Sequence, residues 1–387
     1  MKKICIITGS RAEYGILRPL IEEIKNDGSL ELQLLVTGMH LSTEFNLTFQ
    51  EIEKDGFPIS EKIETLLSSD TPVGISKSMG LTIISFSEAY ERLKPDLIVV
   101  LGDRFEIFSA LVPALICGIP VAHIAGGEIT QGAFDDALRH SITKMSQIHF
   151  TATEEYRKRV IQLGEHPSTV FNVGAPGIDA IQKTRFLTRE GLKKELGIGF
   201  NKRNLLIVFH PATLEKKTAS KDQFREILSV CDELKDTNMF FVKSNADTHG
   251  RIINAMIDEY VAVNSETTWA FTSLGHEKYL SLLRQVDGMI GNSSSGIVEA
   301  PSLKVGTINI GDRQKGRVRA QSVIDCEATK GAIRKGIKTL YSAAYQRKLR
   351  NVLNPYGKGN AAKSIKGIIK SYQLNNIVKK KFYDIKG

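Results

Sequence analysis

The chain has 387 residues, of which 42% are hydrophobic and 25% are charged, and its formal net charge is +9. This is the balance of an ordinary globular protein, the length predicts two domains, and four cysteines without a C-x-x-C pair argue against a disulfide framework or a zinc site. Because there is neither an apolar stretch of membrane-spanning length nor an aromatic-interleaved basic motif, we expect a soluble, cytoplasmic protein that binds neither membrane nor nucleic acid.

The first half of the chain alternates strand-like and helix-like runs. Predicted strands cover residues 4–8, 31–36, 96–101, 121–124 and 148–152, and predicted helices cover 14–26, 75–93, 105–117 and 135–145. Continuous runs of Ile, Val and Leu joined by helical crossovers are typical of a parallel, doubly wound α/β sheet.

Turn chemistry at residues 173–177 marks the predicted domain boundary, and the same alternation restarts beyond it. Predicted strands cover 205–209, 239–242, 269–271, 288–290 and 306–310, with helices at 221–234, 252–259 and 277–285. We therefore predict two Rossmann-like domains, 1–175 and 176–372, followed by a loose basic tail, 373–387. The helix-like stretch 336–373 could cross back onto the first domain.

A turn rich in hydroxyl groups lies at residues 291–300, between a predicted strand and a predicted helix. There Ser293 and Ser294 accompany exposed backbone N–H groups, which is typical of a phosphate site, and Glu299 follows where it can accept ribose hydroxyls. After the next strand, Arg313 lies between two glycines. Two such turns indicate a nucleotide pyrophosphate. The alternative is a Ser-rich helix cap beside an exposed basic loop.

The first predicted strand ends in Thr-Gly-Ser-Arg-Ala-Glu, residues 8–13. It lacks the G-x-G-x-x-G pattern, so nothing supports NAD or FAD. Gly9 and Arg11 suit a phosphate at a helix start. The alternative is an arginine exposed at a helix N-terminus.

Carboxylates follow successive strands, with Asp103 after one, Glu128 after the next, and Asp135 and Asp136 at a helix start. Since ligands bind at the carboxyl ends of parallel strands, we expect Asp103, Glu128 and one of the two adjacent aspartates to meet. Crowded carboxylates raise one another's pKa, which provides both an acid and a base near neutral pH. The alternatives are helix N-caps for Asp103 and Asp135 and an ion pair with Arg104.

His210 leaves the first strand of the second predicted domain and is followed by Pro211, which blocks further strand pairing. It would face a cleft between the domains and act as a general acid beside a phosphate, which raises its pKa. The alternative is a structural histidine. The eight histidines show no metal-ligand spacing, so we expect no metal site.

Together these motifs closely resemble the UDP-N-acetylglucosamine 2-epimerase family, from Gly9 to Arg317. The resemblance depends on the order and spacing of Ser10-Arg-Ala-Glu-Tyr14, Gly102-Asp-Arg104, Gly126-Gly-Glu128, Asp135-Asp-Ala-Leu-Arg-His140, Phe209-His-Pro211, Gly291-Asn-Ser-Ser294 and Arg313-Gln-Lys-Gly-Arg317. Ser-Arg-Ala-Glu and His-Pro-Ala-Thr stand where the non-hydrolysing branch would carry Thr-Arg-Pro-Glu and His-Arg-Arg-Glu-Asn. The chain therefore looks like the hydrolysing branch.

The resemblance implies a GT-B fold, in which two Rossmann-like domains face a cleft. It implies hydrolysis of UDP-N-acetylglucosamine, through a glucal intermediate, to UDP and an N-acetylmannosamine-type sugar for sialic acid synthesis. It also implies a homo-oligomer and no cofactor. The implied acid–base residues are His210, Asp103, Glu128 and Asp136. The implied nucleotide contacts are Arg11, Arg104, Asn245, Ser293, Ser294, Glu299 and Arg313.

Several alternatives stay open at this stage. The substrate could be the 4-acetamido-6-deoxy relative, diacetamido-bacillosamine linked to UDP or GDP, which leads to legionaminic acid. The product could stay joined to UDP, as in a non-hydrolysing epimerase. A GT-B glycosyltransferase and a non-catalytic nucleotide-sugar sensor are also compatible with the nucleotide turns.

Overall fold

The computed structural model of the chain describes residues 1–67, 69, 71–131, 133–211, 217–244 and 250–385. They form two compact units, each built on one parallel sheet. The first comprises Met1–Glu128, Phe134–Lys183 and Tyr356–Gly387, and the second comprises Ile129–Ala133 and Thr184–Pro355. Among the described residues, no helix is both long and apolar enough to cross a membrane.

The first unit contains a sheet of seven described strands. They are β1 (Lys2–Thr8), β2 (Leu30–Thr37), β3 (Glu61–Ile63), β4 (Leu97–Leu101), β5 (Val121–Ile124), β6 (Ile148–Thr151) and β7 (Val170–Asn172). The strand order is β3-β2-β1-β4-β5-β6-β7, and every pairing is parallel. The helices between them are α1 (Arg11–Lys25), α2 (Phe49–Lys54), α3 (Pro72–Leu93), α4 (Phe105–Ile116), α5 (Phe134–Met145), α6 (Glu154–Gln162) and α7 (Pro176–Lys183).

Both faces of this sheet are covered, which explains why its central strands are continuously apolar. In β1, Ile4 and Ile6 enter the core on one face, and Cys5 and Ile7 enter the core on the other. The alternation of side chains along a strand thus supplies two cores from one apolar run.

The second unit contains a sheet of six described strands. They are β8 (Arg203–Val208), β9 (Thr237–Val242), β10 (Thr268–Phe271), β11 (Gly288–Gly291), β12 (Gly306–Ile310) and β13 (Val323–Cys326). The order is β10-β9-β8-β11-β12-β13, again fully parallel. Its helices are α8 (Arg189–Leu196), α9 (Lys217–Cys231), α10 (Gly250–Val263), α11 (His276–Gln285), α12 (Ser295–Val298), α13 (Lys330–Leu340) and α14 (Ala343–Arg350).

The last helix, α15 (Ala361–Ser371), belongs to the first unit. Ile365 and Ile369 pack in the core with α1. The backbone N–H groups of Ala361 and Ala362 donate to the two carboxylate oxygens of buried Asp179 in α7, at 3.0 and 2.7 Å. One carboxylate thereby satisfies two N–H groups that the start of a helix leaves unpaired.

These units differ from the predicted division 1–175, 176–372 and 373–387. The first break falls after Lys183, because α7 packs on α1 and α15 rather than opening the second unit. The short segment Ile129–Ala133 joins the second unit, where Arg317 donates to the Ile129 carbonyl at 2.7 Å and to the Thr130 hydroxyl at 3.2 Å. The residues after Gln373, predicted as a loose tail, also contact the first unit, because the Tyr383 N–H donates to the Gly164 carbonyl at 2.9 Å.

The predicted strands are present with small shifts at their ends, but three edge strands were missed: β3, β7 and β13. Each has only three or four residues and is only partly buried, so it carries no long apolar run. The helix-like stretch predicted at 336–373 crosses back onto the first unit, as expected, but it is not one continuous helix. It is divided into parts of α13, then α14 and α15, because Ser342 caps α14 and Pro355 lies in the connection before α15.

Candidate active site

The polar clusters lie where doubly wound sheets bind ligands. In the first unit the strand order reverses between β1 and β4, and Arg11 and Asp103 follow those two strands. In the second unit it reverses between β8 and β11, which are followed by His210 and Ser293. Ligands of such sheets bind in the crevice at this reversal, beyond the carboxyl ends of the strands.

Asp103 is positioned by the turn between β4 and α4. Gly102 has φ +77°, a left-handed conformation that favours glycine, and its carbonyl lies 2.8 Å from Nε2 of buried His123. The N-cap of α4 is Arg104, so the reading of Asp103 as an N-cap is wrong. Burial lowers the pKa of His123 to about 3, which keeps its ring neutral, with Nε2–H donating to the carbonyl and Nδ1 accepting from the Thr143 hydroxyl at 3.1 Å.

Glu128 is positioned by the turn after β5. Ala125 and Gly127 have φ of +66° and +79°, and the Gly127 carbonyl accepts a hydrogen bond from Arg159 of α6. A side chain at 127 would overlap the backbone carbonyl of Tyr156. The turn leaves Glu128 only 8% exposed at the end of the strand.

Arg139 of α5 joins the predicted carboxylates. It is 3% exposed, its Nη2 donates to Asp103 Oδ2, and its Nη1 lies 3.9 Å from Glu128 Oε2. Burial alone would lower the pKa of Arg139, but the charges of Asp103 and Glu128, and more weakly of Asp136, raise it overall. Asp103 and Glu128 are therefore brought together, but around a buried cation, Arg139, for which the sequence motifs indicated no role.

Asp136 lies in the first turn of α5 and pairs with His140 one turn later, at 3.6 Å between Oδ2 and Nε2. Burial lowers the pKa of His140, and the charges of Arg139 and Arg159 act in the same direction, whereas Asp136 opposes them. Because α5 begins at Phe134, the reading of Asp135 as the N-cap is wrong.

A second carboxyl cluster, which the sequence analysis missed, lies beside the start of α1. Glu13 Oε2 accepts from the Gly9 N–H at 3.0 Å and from the Ser10 hydroxyl at 3.1 Å, while Ser10 accepts in turn from the Glu13 N–H. This is a variant of the capping box, in which Glu13 accepts from the N–H of Gly9, the residue before the N-cap, and its Ser-x-x-Glu spacing was a usable signal. Glu106 packs against Gly9, and its Oε1 accepts from Arg104 Nε at 2.6 Å.

Burial, and then the charge of Glu106, raise the pKa of Glu13 to about 8. Arg104, the Gly9 N–H and Ser10 oppose this shift. A carboxyl that keeps its proton at neutral pH is thus found here, at Glu13.

Arg11 is the first residue of α1. It lies near buried His40, whose Nε2 is 3.0 Å from the Thr8 hydroxyl and whose Nδ1 is 2.8 Å from the Thr48 hydroxyl. Burial lowers the pKa of His40 to about 3, and the charges of Arg11 and Arg104 add to that shift. The two predicted nucleotide arginines of this unit therefore act on the same buried histidine.

In the second unit, Asn292 fixes the backbone of His210. The His210 N–H donates to Asn292 Oδ1 and Asn292 Nδ2 donates to the His210 carbonyl, both at 2.7 Å. The Asn292 carbonyl accepts from Arg313 Nη1 at 3.1 Å and from Gln314 Nε2 at 2.8 Å. One buried asparagine therefore joins the ends of β8 and β11 to the loop after β12, a role that its place in the motif did not indicate.

The predicted serine turn leads into α12, which has only four residues. Ser293 Oγ accepts from the Ser295 N–H at 3.3 Å, and Ser294 is exposed. Glu299 is 8% exposed at the end of this helix. Asn245 lies outside the described residues.

Among the described residues, no three His, Cys, Asp or Glu side chains are grouped so that they could hold a metal ion.

A family model described as UDP-N-acetylglucosamine 2-epimerase matches residues 22–370. This chain belongs to that family. The family resemblance predicted from the sequence motifs is therefore confirmed.

Relatives within the family match nearly the whole chain. The chain is 45% identical over 385 residues to the GDP/UDP-N,N'-diacetylbacillosamine 2-epimerase (hydrolyzing) of Campylobacter jejuni, covering 99% of each chain. It is 42% identical over 387 residues to the polysialic acid biosynthesis protein P7 of Escherichia coli, covering all of this chain and 98% of that one.

Solved structures of the family share the fold. The UDP-GlcNAc 2-epimerase of Neisseria meningitidis, bound to UDP-GlcNAc, has a TM-score of 0.80 at 20% identity, covering 95% of this chain and 99% of that one. The predicted fold class, two Rossmann-like parallel-sheet units of the GT-B type, is confirmed.

Proposed function

We propose that this protein is a hydrolysing nucleotide-sugar 2-epimerase. It cleaves the bond between C1 of a 2-acetamido sugar and the nucleoside diphosphate, and releases the free sugar with inverted configuration at C2. The observation that carries the proposal is the 45% identity, over 99% of both chains, to a relative whose name specifies a hydrolysing 2-epimerase.

The chemistry explains why both a cation and carboxylates are needed. The hydrogen at C2 is not acidic, because no carbonyl group neighbours it, so departure of the diphosphate must lead. The C1–O bond breaks with its electrons going to the phosphate, and C1 gains oxocarbenium character. A carboxylate then takes the C2 proton, which leaves a glucal. Water adds at C1 while C2 is reprotonated from the opposite face.

We assign the acid–base steps to Asp103, Glu128 and Asp136 in the first unit. The contacts of Arg139 with Asp103 and Glu128 support this assignment, because a buried guanidinium fixes the orientation of the carboxylates beside it. Ionised carboxylates stabilise developing positive charge at C1 and can accept the C2 proton.

The family resemblance implies that cationic and hydroxyl groups take the departing diphosphate. His210 would donate a proton to it as general acid, and its backbone is held by Asn292. The contacts proposed for the nucleotide are Arg11, Arg104, Asn245, Ser293, Ser294, Glu299 and Arg313.

The names of the two relatives favour different sugars as the substrate. The name of the Campylobacter relative favours a diacetamido sugar of the bacillosamine type, carried on UDP or GDP. The name of the Escherichia coli relative favours the sialic acid route, in which UDP-N-acetylglucosamine would give N-acetylmannosamine. Both sugars carry a 2-acetamido group and a hydrogen at C2, so both are tested together.

The test is incubation of the purified protein in heavy water with UDP-N-acetylglucosamine or with UDP- or GDP-diacetamidobacillosamine, followed by proton and phosphorus NMR. Free nucleoside diphosphate and a 2-epimeric sugar deuterated at C2 are expected. Release of the original sugar with hydrogen at C2 would mean simple hydrolysis and would contradict the proposal. A nucleotide-linked epimer would indicate the non-hydrolysing reaction, and release only with an added sugar acceptor would indicate a glycosyltransferase.

The proposal includes a cytoplasmic location and a homo-oligomer. All four cysteines are free and Cys117 is exposed, as is usual for proteins of a reducing compartment. The oligomeric state rests on the family resemblance and is tested by light scattering of the purified protein.

A further inference from the structure

The three consecutive lysines near the end of the chain differ in what they contact. All three are exposed residues, and the side chain of Lys380 is 27% exposed. Lys380 Nζ donates to both carboxylate oxygens of Glu165, at 2.9 and 2.8 Å, and to the Ser146 carbonyl at 2.7 Å. One lysine thus ties the end of the chain to the connections on either side of β6 and α6.

The next residues after Lys381 are Phe382 and Tyr383, and both add ring contacts to this attachment. The Phe382 ring lies against Gly164, where φ is +87° and where any side chain would overlap the ring. The Tyr383 ring meets the His166 ring edge to face, with centroids 5.2 Å apart. Phe382 nevertheless remains 66% exposed. We call residues 380–383 the C-terminal clasp; it lies on the surface and is held chiefly through Lys380.

Glu165 connects the clasp to α5 and to β6. Its side chain is 2% exposed, and it accepts from Lys144 Nζ of α5 at 2.5 Å and lies 3.1 Å from His149 Nε2 of β6. Burial alone would raise the pKa of Glu165, but hydrogen bonds from its basic partners lower it overall. The carboxylate is therefore charged, and Lys380 is one of the two lysines that compensate a nearly buried charge.

The contacts of Glu165 with Lys144 and with His149 both lead to residues of the candidate active site. Lys144 is on the same helix as Asp136 and Arg139. His149 is paired in register with His123 of β5, and His123 contacts the Gly102 carbonyl directly before Asp103.

We propose that the C-terminal clasp, through Lys380 and Glu165, is a positioning element that holds α5 so that Arg139 stays in contact with Asp103 and Glu128. The clasp acts on the site through α5. Its effect on turnover rests on the proposed epimerase function, whereas its effect on the order of α5 does not.

The test compares Lys380→Ala with Lys379→Ala and Lys381→Ala, which remove the same charge from the same segment. Lys380→Ala is expected to lower kcat roughly ten- to a hundredfold, since displacements of about 1 Å at an active site have effects of that size. KM should change less than about twofold, because the proposed nucleotide contacts are left in place. Lys380→Arg, which can still reach both oxygens, should restore kcat, and the two control variants should match the wild type.

Hydrogen exchange supplies a readout that is independent of the reaction. Amides of α5 should exchange faster in Lys380→Ala than in the controls, while α13 of the second unit should be unchanged. Unchanged exchange in α5 would overturn the proposal, as would a normal kcat in a variant that is merely less heat-stable. Should Lys380→Ala not fold, Phe382→Ala takes its place with the same two readouts. If the wild type turns over no nucleotide sugar, the proposed function fails, and α5 exchange alone decides on the clasp.

Discussion

The buried carboxyl of Glu13 allows a quantitative test of the electrostatics of the first unit. Its side chain is 7% exposed, and Oε2 accepts from the Gly9 N–H and the Ser10 hydroxyl. In Glu13→Gln the amide oxygen can accept the same two hydrogen bonds. The variant therefore keeps the shape of the protonated side chain and removes its titration.

The sign of the effect follows from the two pKa values. In the unfolded chain Glu13 ionises near 4.5, whereas in the folded protein burial and the charge of Glu106 raise its pKa to about 8. Between these values the folded protein binds the proton and the unfolded chain does not, so the free energy of unfolding falls as pH rises. The contribution is complete below pH 4.5 and is lost as pH passes 8. At about 1.4 kcal/mol per pKa unit, the wild type should lose on the order of 5 kcal/mol relative to the variant over this interval.

The measurement is urea unfolding of both proteins at half-unit steps from pH 5 to pH 8, followed by circular dichroism. The difference in the free energy of unfolding should grow steadily in favour of Glu13→Gln as pH rises. Glu22→Gln is the control, because Glu22 is on the same helix with its side chain 48% exposed. Parallel pH curves for wild type and Glu13→Gln would refute the claim that folded Glu13 keeps its proton at neutral pH.

Three further predictions concern both units. His210→Ala should lower turnover at least about 10²-fold while leaving the circular dichroism spectrum unchanged, because a general acid is worth roughly 10²–10⁴-fold; near-wild-type turnover would remove His210 from the mechanism. Arg139→Met leaves Asp103 and the nearly buried Glu128 without their cation, so it should lower the free energy of unfolding by about 3–5 kcal/mol; an unchanged Tm would argue against this role. Gly291→Ala should destabilise the protein by about 1–3 kcal/mol or more, because φ is +138° and a methyl group would overlap the Val208 carbonyl. Gly331→Ala, where a methyl group meets open space, is its control and should melt like the wild type.

The sequence predicted the centre of each sheet better than its edges. Strands such as β4 and β12 are fully buried, so their apolar runs stand out in the sequence. Edge strands such as β3 and β13 pair on one side only and carry polar residues, so they resemble loops. The long terminal stretch kept a helical pattern across its breaks, because α13 and α15 each bury one face, and the pattern does not record where the chain turns between them.

In the candidate site, too, features set by neighbouring residues could be predicted, and contacts between residues far apart in the chain could not. The parallel α/β architecture, the family and the residues that follow the strands could all be predicted from the amino-acid sequence, because strand periodicity and motif spacing are local properties of the chain. The folded structure was needed to show that Arg139 lies beside Asp103, that Glu106 raises the pKa of Glu13, and that Lys380 compensates Glu165. Buried charges and polar groups need partners, but any element packed nearby can supply them. The partner of Lys380 lies 215 positions away in the chain, a separation at which the sequence carries no periodic or spacing signal.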